Sequence, residues 1–381
     1  MKITQVETFP VAPRWLFVKV STDAGISGWG EATLEGRSHT VQTAVHEFDD
    51  YLVGADPLLI EEHWQVLTKS TFYRGGPVFG SAVAGIDQAL WDIAGKHRQA
   101  PVHELLGGPV RNRLRVYSWI GGDDPAEVGD HAARQRAAGF TAVKMNASGR
   151  MDKLSSSSAI DGVLARAGAV RDALGSDFDF ALDFHGRFST ATARRVIGEL
   201  DSLRPMFVEE PVLPEHTSRL RDVVDATTIP IACGERMFSR GDFLPALQAG
   251  IGVAQPDVSH CGGISEARRI ASLAETFDVL FAPHCPLGPI ALAASMQVSL
   301  ATPNFLIQEQ SLGIHYNESS DLLDYLVDAS VFGFVDGFCD RLTGPGLGIE
   351  VDEAAVRQAA EIGHNWRGPV WRYEDGSFAE W

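Results

Sequence analysis

The sequence predicts an α/β barrel preceded by a smaller α+β domain, and three observations predict it. Polar residues follow short apolar runs at an even beat: Asp183 in FALDFHG, Glu209 in MFVEEPV and Glu235 in IPIACGER stand 26 residues apart, and Asp257, His284 and Glu309 continue at gaps of 22, 27 and 25. A strand, a helix and two loops take about 25 residues, so the beat is that of βα units, whose polar residues converge on the C-terminal mouth of a barrel. The stretch before the beat instead has strands followed by helices, the order of a separate α+β domain. A length of 381 residues also exceeds one ordinary domain and divides naturally into a barrel of about 220 residues plus a second unit.

Taken in order, KITQVETFPV, LFVKVST and ISGWGE alternate apolar and polar residues around the turn Asp23-Ala24-Gly25, the pattern of an antiparallel meander. From about Thr40 the spacing becomes helical, most clearly in SAVAGIDQALWDIAGKH, where Ile86, Leu90 and Ile93 share a face. Arg14 and Trp15 lie between the first two strands, and Tyr73 and Arg74 follow a helix; both stretches are loops with binding-type residues. The expected domains are 1–110, 111–335 for the barrel, and 336–381 as a C-terminal segment packing back on the first. RVYSWI and TAVKM supply the two barrel strands ahead of the six already named. The interval from Thr141 to the next strand near Asp179 is long, and its Asn146 to Arg150 stretch and serine run at 155–158 suggest a mobile loop at the mouth.

A net charge of −18 without a Lys/Arg cluster opposes binding to nucleic acid or anionic membrane surfaces. A small anionic substrate would then need local positive charge, most simply a metal. The four cysteines are scattered, as suits a reducing cytoplasm, and the start MKITQVETF reads as a strand. Three carboxylates from successive strands, with no Cys at equivalent places, form a hard oxygen site that favours Mg2+ over Zn2+. An acid at a strand end can equally cap the next helix. Glu210 follows Glu209 and points to the other face of the strand, so one of the two can be a ligand, and strand period leaves open which. His185, two residues after Asp183, is expected on the same strand face. His284 and Asp257 end neighbouring strands, which pairs an imidazole with a carboxylate that fixes its tautomer and raises its basicity. GxSxG, P-loop and dinucleotide fingerprints are absent, so acyl transfer, phosphoryl transfer and nicotinamide chemistry lose support.

Lys144 in VKMN, together with LDFHGR, FVEEP, CGERMFSR, QPDVSHCGGI, APHCPLGPIALAA, LIQEQ and PGLGIEVDE, resembles the mandelate racemase subgroup of the enolase superfamily over nearly the whole chain. The resemblance implies a (β/α)7β barrel under an α+β capping domain completed by the C-terminal tail. It implies Mg2+ held by Asp183, Glu209 and Glu235, His284 as base polarised by Asp257, His185 as acid, and Glu309 hydrogen-bonded to a substrate carboxylate. Lys144 and Asn146 would face the substrate, with Arg14 and Tyr73 reaching it from the cap. The racemising relatives carry a second Lys where this chain has Asn146, so the implied activity is dehydration of an aldonic sugar acid, galactonate first and gluconate or an epimerisation as the alternative. A small-molecule substrate, a homo-oligomer and a cytoplasmic location complete the expectation.

Overall fold

The structure, a computed structural model, describes residues 1–121, 124–152 and 155–381. Strands β1 (Ile3–Val11), β2 (Trp15–Thr22) and β3 (Ser27–Glu31) form the expected antiparallel meander in the order β1-β2-β3. The 22-residue helix Pro77–Arg98 lies across β3 and buries Ile86, Leu90 and Ile93 against Leu16, Val18 and Val20. That packing is close: a Cβ at Gly30 would come within 1.9 Å of the Gly85 carbonyl, so only glycine lets this strand and helix backbone touch. Helices Ser38–His46 and Ile60–Lys69 complete the domain.

After β4 (Arg113–Arg115), the described residues form a parallel seven-stranded sheet. Its strands are β5 (Ser118–Trp119), β6 (Ala142–Asn146), β7 (Asp179–Asp183), β8 (Val208–Glu209), β9 (Ile231–Cys233), β10 (Val253–Ala254) and β11 (Leu280–Phe281), hydrogen-bonded in sequence order. Residues 305–308 close the ring. Phe305 bridges to Phe281 and Gln308 to Val116, both parallel, with Leu306 N–H donating to Phe281 O at 2.8 Å and Gln308 N–H to Arg115 O at 2.9 Å. Tyr117, Ala181, Phe207, Ala232, Val253, Ala282 and Ile307 fill the barrel axis, a packed core rather than a pore. Helices start cleanly where Asp124, Ser156, Ser189 and Ser239 accept from backbone N–H groups of the first turn.

Two expectations change here. The serine run enters a helix: Ser156 caps helix Ser157–Leu174 and Ser155 is buried, while Lys153 and Leu154 lie outside the described residues. The C-terminal segment does not pack only on the first domain. Strand β13 (Phe338–Asp340) pairs with β12 (Phe334–Val335) and with β4. Helix Glu353–Ile362 does lie on β1 and β2, with Lys19 Nζ 2.7 Å from Glu353, but the chain beyond it turns to the barrel mouth. There Trp371 stacks under Arg187 and Tyr373 under Arg150. No helix among the described residues is long and apolar enough to cross a membrane.

The two domains are joined by buried carboxylates that cap barrel helices. Glu31, at the end of β3, accepts from Gly288 N–H at 2.8 Å and Ala291 N–H at 3.0 Å, at the start of helix Pro289–Leu300. Asp87 accepts from the Ser265 N–H at 3.0 Å and the Ser265 hydroxyl at 2.5 Å, at the start of helix Ile264–Glu275. Gly263 must be glycine for this: its φ is +91°, and a Cβ there would meet Asp87 Oδ2 at 2.3 Å. These groups satisfy helix N-terminal donors that the interface hides from water. Burial pushes both carboxyls up to about 7, against their hydrogen bonds.

A raised carboxyl pKa means that between the ordinary carboxylate range and about pH 7 the folded protein keeps a proton that the unfolded chain has released. Its stabilising contribution is complete below the unfolded pKa and is lost as pH rises through about 7. Asp87→Asn can keep both Ser265 contacts without titrating, so thermal melts should fall less steeply between pH 5 and 7 than in the wild type. Identical slopes would show that Asp87 is ionised in the folded protein across that range.

Candidate active site

The even beat of the sequence becomes a register in space. Pairing of β6, β7 and β8 sets Asn146 opposite Asp183 and Asp183 opposite Glu209 at the same level of the barrel. Glu235 follows β9 by two residues. Glu209 and Glu210 diverge: Glu209 turns inward, whereas Glu210 has φ +44° and turns to Arg236, 2.6 Å away, and to Gly234 N–H. His185 also leaves the strand. It is not carried by strand alternation, because β7 ends at Asp183 and His185 has φ +50°; the turn folds its ring back so that Nε2 lies 2.6 Å from Asp183 Oδ2, while its N–H donates to Asp183 Oδ1 at 2.8 Å.

Beneath these residues lies a buried ion cluster. Lys144 Nζ is 2.7 and 2.8 Å from the two Glu209 oxygens and 2.9 Å from Glu309 Oε1, and all three side chains are essentially inaccessible. Gln255 donates to Glu209 Oε2 at 2.8 Å, Trp119 Nε1–H to Glu309 Oε1 at 2.6 Å, and Cys285 N–H to Glu309 Oε2 at 2.7 Å. Burial would discharge the ammonium, but Glu209 and Glu309 outweigh it and hold Lys144 well above its usual pKa. Burial pushes Glu209 up to about 8 against the pull of Lys144, with Asp183, Glu309 and Glu235 adding to the rise. So Lys144 and Glu309 are committed to one another and to Glu209, beneath the cavity rather than open to it.

Asp183, Glu209 and Glu235 thus form an oxygen-rich set short of positive charge, which suits a hard divalent cation. The ligand atoms of Asp183, His185 and Glu235 gather within 4.8 Å, while Glu209, on the strand between Asp183 and Glu235, is held by Lys144 and Gln255. On the other side, His284 Nδ1–H donates to Asp257 Oδ2 at 2.7 Å, and its Nε2 is 3.1 Å from Glu235 Oε2. Burial opposes charge on this ring, but Glu235, Glu309 and the Asp257 hydrogen bond raise it well above the ordinary histidine range.

A cavity of about 530 Å3 opens above these groups, with His185, Glu235 and His284 on its floor beside Trp119. Arg14 lines it and is buried, donating to Asn317 Oδ1 at 2.7 Å and Pro286 O at 2.8 Å and resting over the Tyr316 ring. Asn146 is not among the residues lining the cavity; it lies beside Tyr316, and its Oδ1 is buried without a hydrogen-bond partner. Tyr73 is elsewhere: it is 86% exposed and borders a separate groove with Phe48, Trp64 and Phe79. Its loop closes on itself, Thr71 bonding the Tyr73 carbonyl and Arg74 the Thr71 carbonyl, with Gly75 and Gly76 at φ +79° and +85° directing it outward. Residues not anticipated also line the cavity, among them Glu35, His260, Tyr316, Trp366 and Trp381. His260 had a signal, three residues after Asp257 in the same motif; the tryptophans had none local to the barrel.

Residues 4–107 match the mandelate racemase/muconate lactonizing enzyme N-terminal domain, and residues 127–355 the enolase C-terminal domain-like family. The chain is 51% identical to D-galactonate dehydratases of Variovorax paradoxus (strain S110) and Xanthomonas axonopodis pv. citri (strain 306), over 382 aligned residues that cover the whole of each chain. Among solved structures, an enolase from Agrobacterium radiobacter, a candidate galactarate dehydratase bound to Na and L-malate, superposes with a TM-score of 0.90 at 32% identity over all of both chains. A candidate dehydratase from Mesorhizobium loti gives 0.89 at 29% identity, over 94% of this chain and 98% of that one. With both domains matched and full-length relatives at half identity, the chain belongs to the mandelate racemase/muconate lactonizing enzyme family of the enolase superfamily.

Proposed function

We propose that this protein dehydrates a sugar acid, D-galactonate, to 2-dehydro-3-deoxy-D-galactonate and water. The observation that carries the reading is the pair of imidazoles, His284 backed by Asp257 and His185 backed by Asp183, facing one cavity with a carboxylate set between them. Full-length relatives named for this activity support the substrate. Members of the superfamily bind a divalent metal, and we assign Mg2+ to Asp183 and Glu235, whose ligand atoms lie close together, with Glu209 from the strand between them, because carboxylate oxygens are hard ligands. When bound, the ion supplies positive charge beside the substrate carboxylate, where charge accumulates as the C2 proton leaves.

The remaining steps fall to the chain itself. Asp257 holds the proton on His284 Nδ1, which leaves Nε2 to take the C2 proton. Lys144 holds Glu309 and Glu209 fixed under the cavity, so the site meets the growing charge without rearrangement. His185, on the other side of the cavity floor, hands a proton to the departing 3-hydroxyl, which leaves as water, and the enol formed tautomerises to the 2-keto acid. Both imidazoles reach the same cavity, so the second reading is epimerisation, in which the C2 proton is removed by one ring and returned by the other.

Exhaustive chelation should abolish 2-keto acid release, and added Mg2+ should restore it. Calorimetric titration of Glu235→Gln should show Mg2+ binding weakened by 10-fold or more, following the cost of losing a ligating group. Full turnover in metal-free buffer would remove the ion from the reaction.

The two histidines separate by isotope exchange. His284→Asn should stop exchange of the C2 proton with deuterium oxide and lower turnover by roughly 10^2- to 10^4-fold, whereas His185→Asn should retain exchange while losing dehydration. Parallel loss of exchange in both variants would sink the assignment of base and acid. Exchange accompanied by inversion at C2 would favour the epimerase.

Arg14 reads the far end of the substrate in this account. Arg14→Ala should lower kcat/KM for D-galactonate at least about 10-fold more than for a four-carbon aldonate, because remote contacts help organise the reacting end. Equal losses on long and short acids would remove Arg14 from substrate recognition.

A further inference from the structure

The cap-side wall of the cavity carries three polar groups whose spacing the reaction chemistry does not explain. His260, after β10, is 5% exposed, and its Nε2 is buried without a hydrogen-bond partner. That nitrogen lies 3.8 Å from Glu35 Oε2, and the other Glu35 oxygen, Oε1, lies 3.8 Å from Arg14 Nε. With the His260 proton on Nε2 the order is donor, acceptor, donor. Each gap exceeds an ordinary N–H···O bond by about 1 Å, too long for a direct bond yet short enough for one oxygen to reach both sides. A role for His260 as second holder of Asp257 is poorly served: its Nδ1 is 3.8 Å from Asp257 Oδ2, which already takes His284 Nδ1–H at 2.7 Å, while Oδ1 takes Ser259 N–H at 2.6 Å.

We propose that Glu35 and His260, with Arg14, form a subsite for a vicinal diol on the distal carbons of the sugar acid. One hydroxyl donates to Glu35 Oε2 and accepts from His260 Nε2–H; its neighbour donates to Glu35 Oε1 and accepts from Arg14 Nε–H. The His260 ring is centred 6.1 Å from the ring of His284, so a carbon chain whose C2 meets His284 reaches this row a few carbons further on. Recognition follows from burial. An epimer or deoxy analogue would leave the buried His260 nitrogen or the buried Arg14 guanidinium without its partner beside the half-buried Glu35, and a site built to bond a hydroxyl rejects the analogue lacking it far more strongly than an apolar pocket does. The subsite deepens the dehydratase reading and rests on it for the identity of the ligand.

The test uses the full chain with Mg2+, and compares D-galactonate with a four-carbon aldonate of the same C2 and C3 configuration. Glu35→Ala and His260→Gln should each lower kcat/KM for D-galactonate by on the order of 30-fold or more, and by less than about 3-fold for the short acid, with C2 deuterium exchange of the short acid unchanged. Glu35→Ala leaves the His260 ring between it and Asp257 in place, so it tests the subsite even where His260→Gln disturbs the base. Equal losses on both acids, or loss of short-acid exchange in His260→Gln with no effect of Glu35→Ala, would overturn the subsite and assign His260 to positioning Asp257. Calorimetry of D-galactonate binding keeps the two readings apart. Binding without turnover in the wild type would overturn dehydration, and a weakening in both variants confined to the long acid would still support the subsite.

Discussion

The mouth of this barrel depends on one buried ammonium. Lys144 sits between Glu209 and Glu309 with every contact under 3 Å and no access to water, so three charges that would each be costly alone are held as a unit. One cation serves two carboxyl groups, and Asp183 and Glu235 beside them make positive charge scarcer still. Everything around them answers that scarcity. Trp119, Gln255 and the Cys285 N–H donate to the two carboxyl groups, Arg236 takes up Glu210, and the two imidazoles lean on Asp183 and Glu235. A site so deficient in positive charge is electrostatically prepared for a divalent ion and for the charge that appears when a carbon acid loses its proton.

The second constraint is how the cap is fastened. Glu31 and Asp87 come from the N-terminal domain but complete the N-termini of two barrel helices, so the domains share hydrogen bonds that neither could satisfy alone. Glu31 lies four residues before Glu35, and helix Pro289–Leu300, which it caps, follows the Pro286 carbonyl that accepts from Arg14. Fastening the cap at those points therefore also fixes the distance between its polar groups and the two cavity histidines, His185 and His284. The proposed recognition of substrate and the docking of the domains would use adjacent residues of the same short segments.

This arrangement divides the labour along the ligand. In the proposed reaction, groups from the barrel strands would meet what all aldonates share, the carboxylate, C2 and C3. Groups from the cap and from the segment beyond residue 363, including Trp366 and Trp381, form the outer wall where such acids differ. The chemistry can stay constant while specificity changes, because the outer wall is carried by segments whose alteration leaves the Lys144 cluster untouched.

Much of this was legible in the sequence. Asp183, Glu209, Glu235, Asp257, His284 and Glu309 stood out because a parallel strand ends where its polar residue begins, and that rule repeats in every βα unit. The meander and the long helix followed from alternation and helical spacing. His185 was found for a reason the structure replaces, since a left-handed turn and not strand alternation brings it to Asp183. The choice between Glu209 and Glu210, the outward course of the Tyr73 loop, the entry of the serine run into a helix, and the meeting of Glu35 with His260 were decided by tertiary structure. Each depends on a backbone angle beyond a strand end or on a contact between segments far apart in the chain, and neither leaves a period in the sequence. Local chemistry marks where a functional side chain begins, but only the closed barrel and its fastened cap determine what that side chain meets.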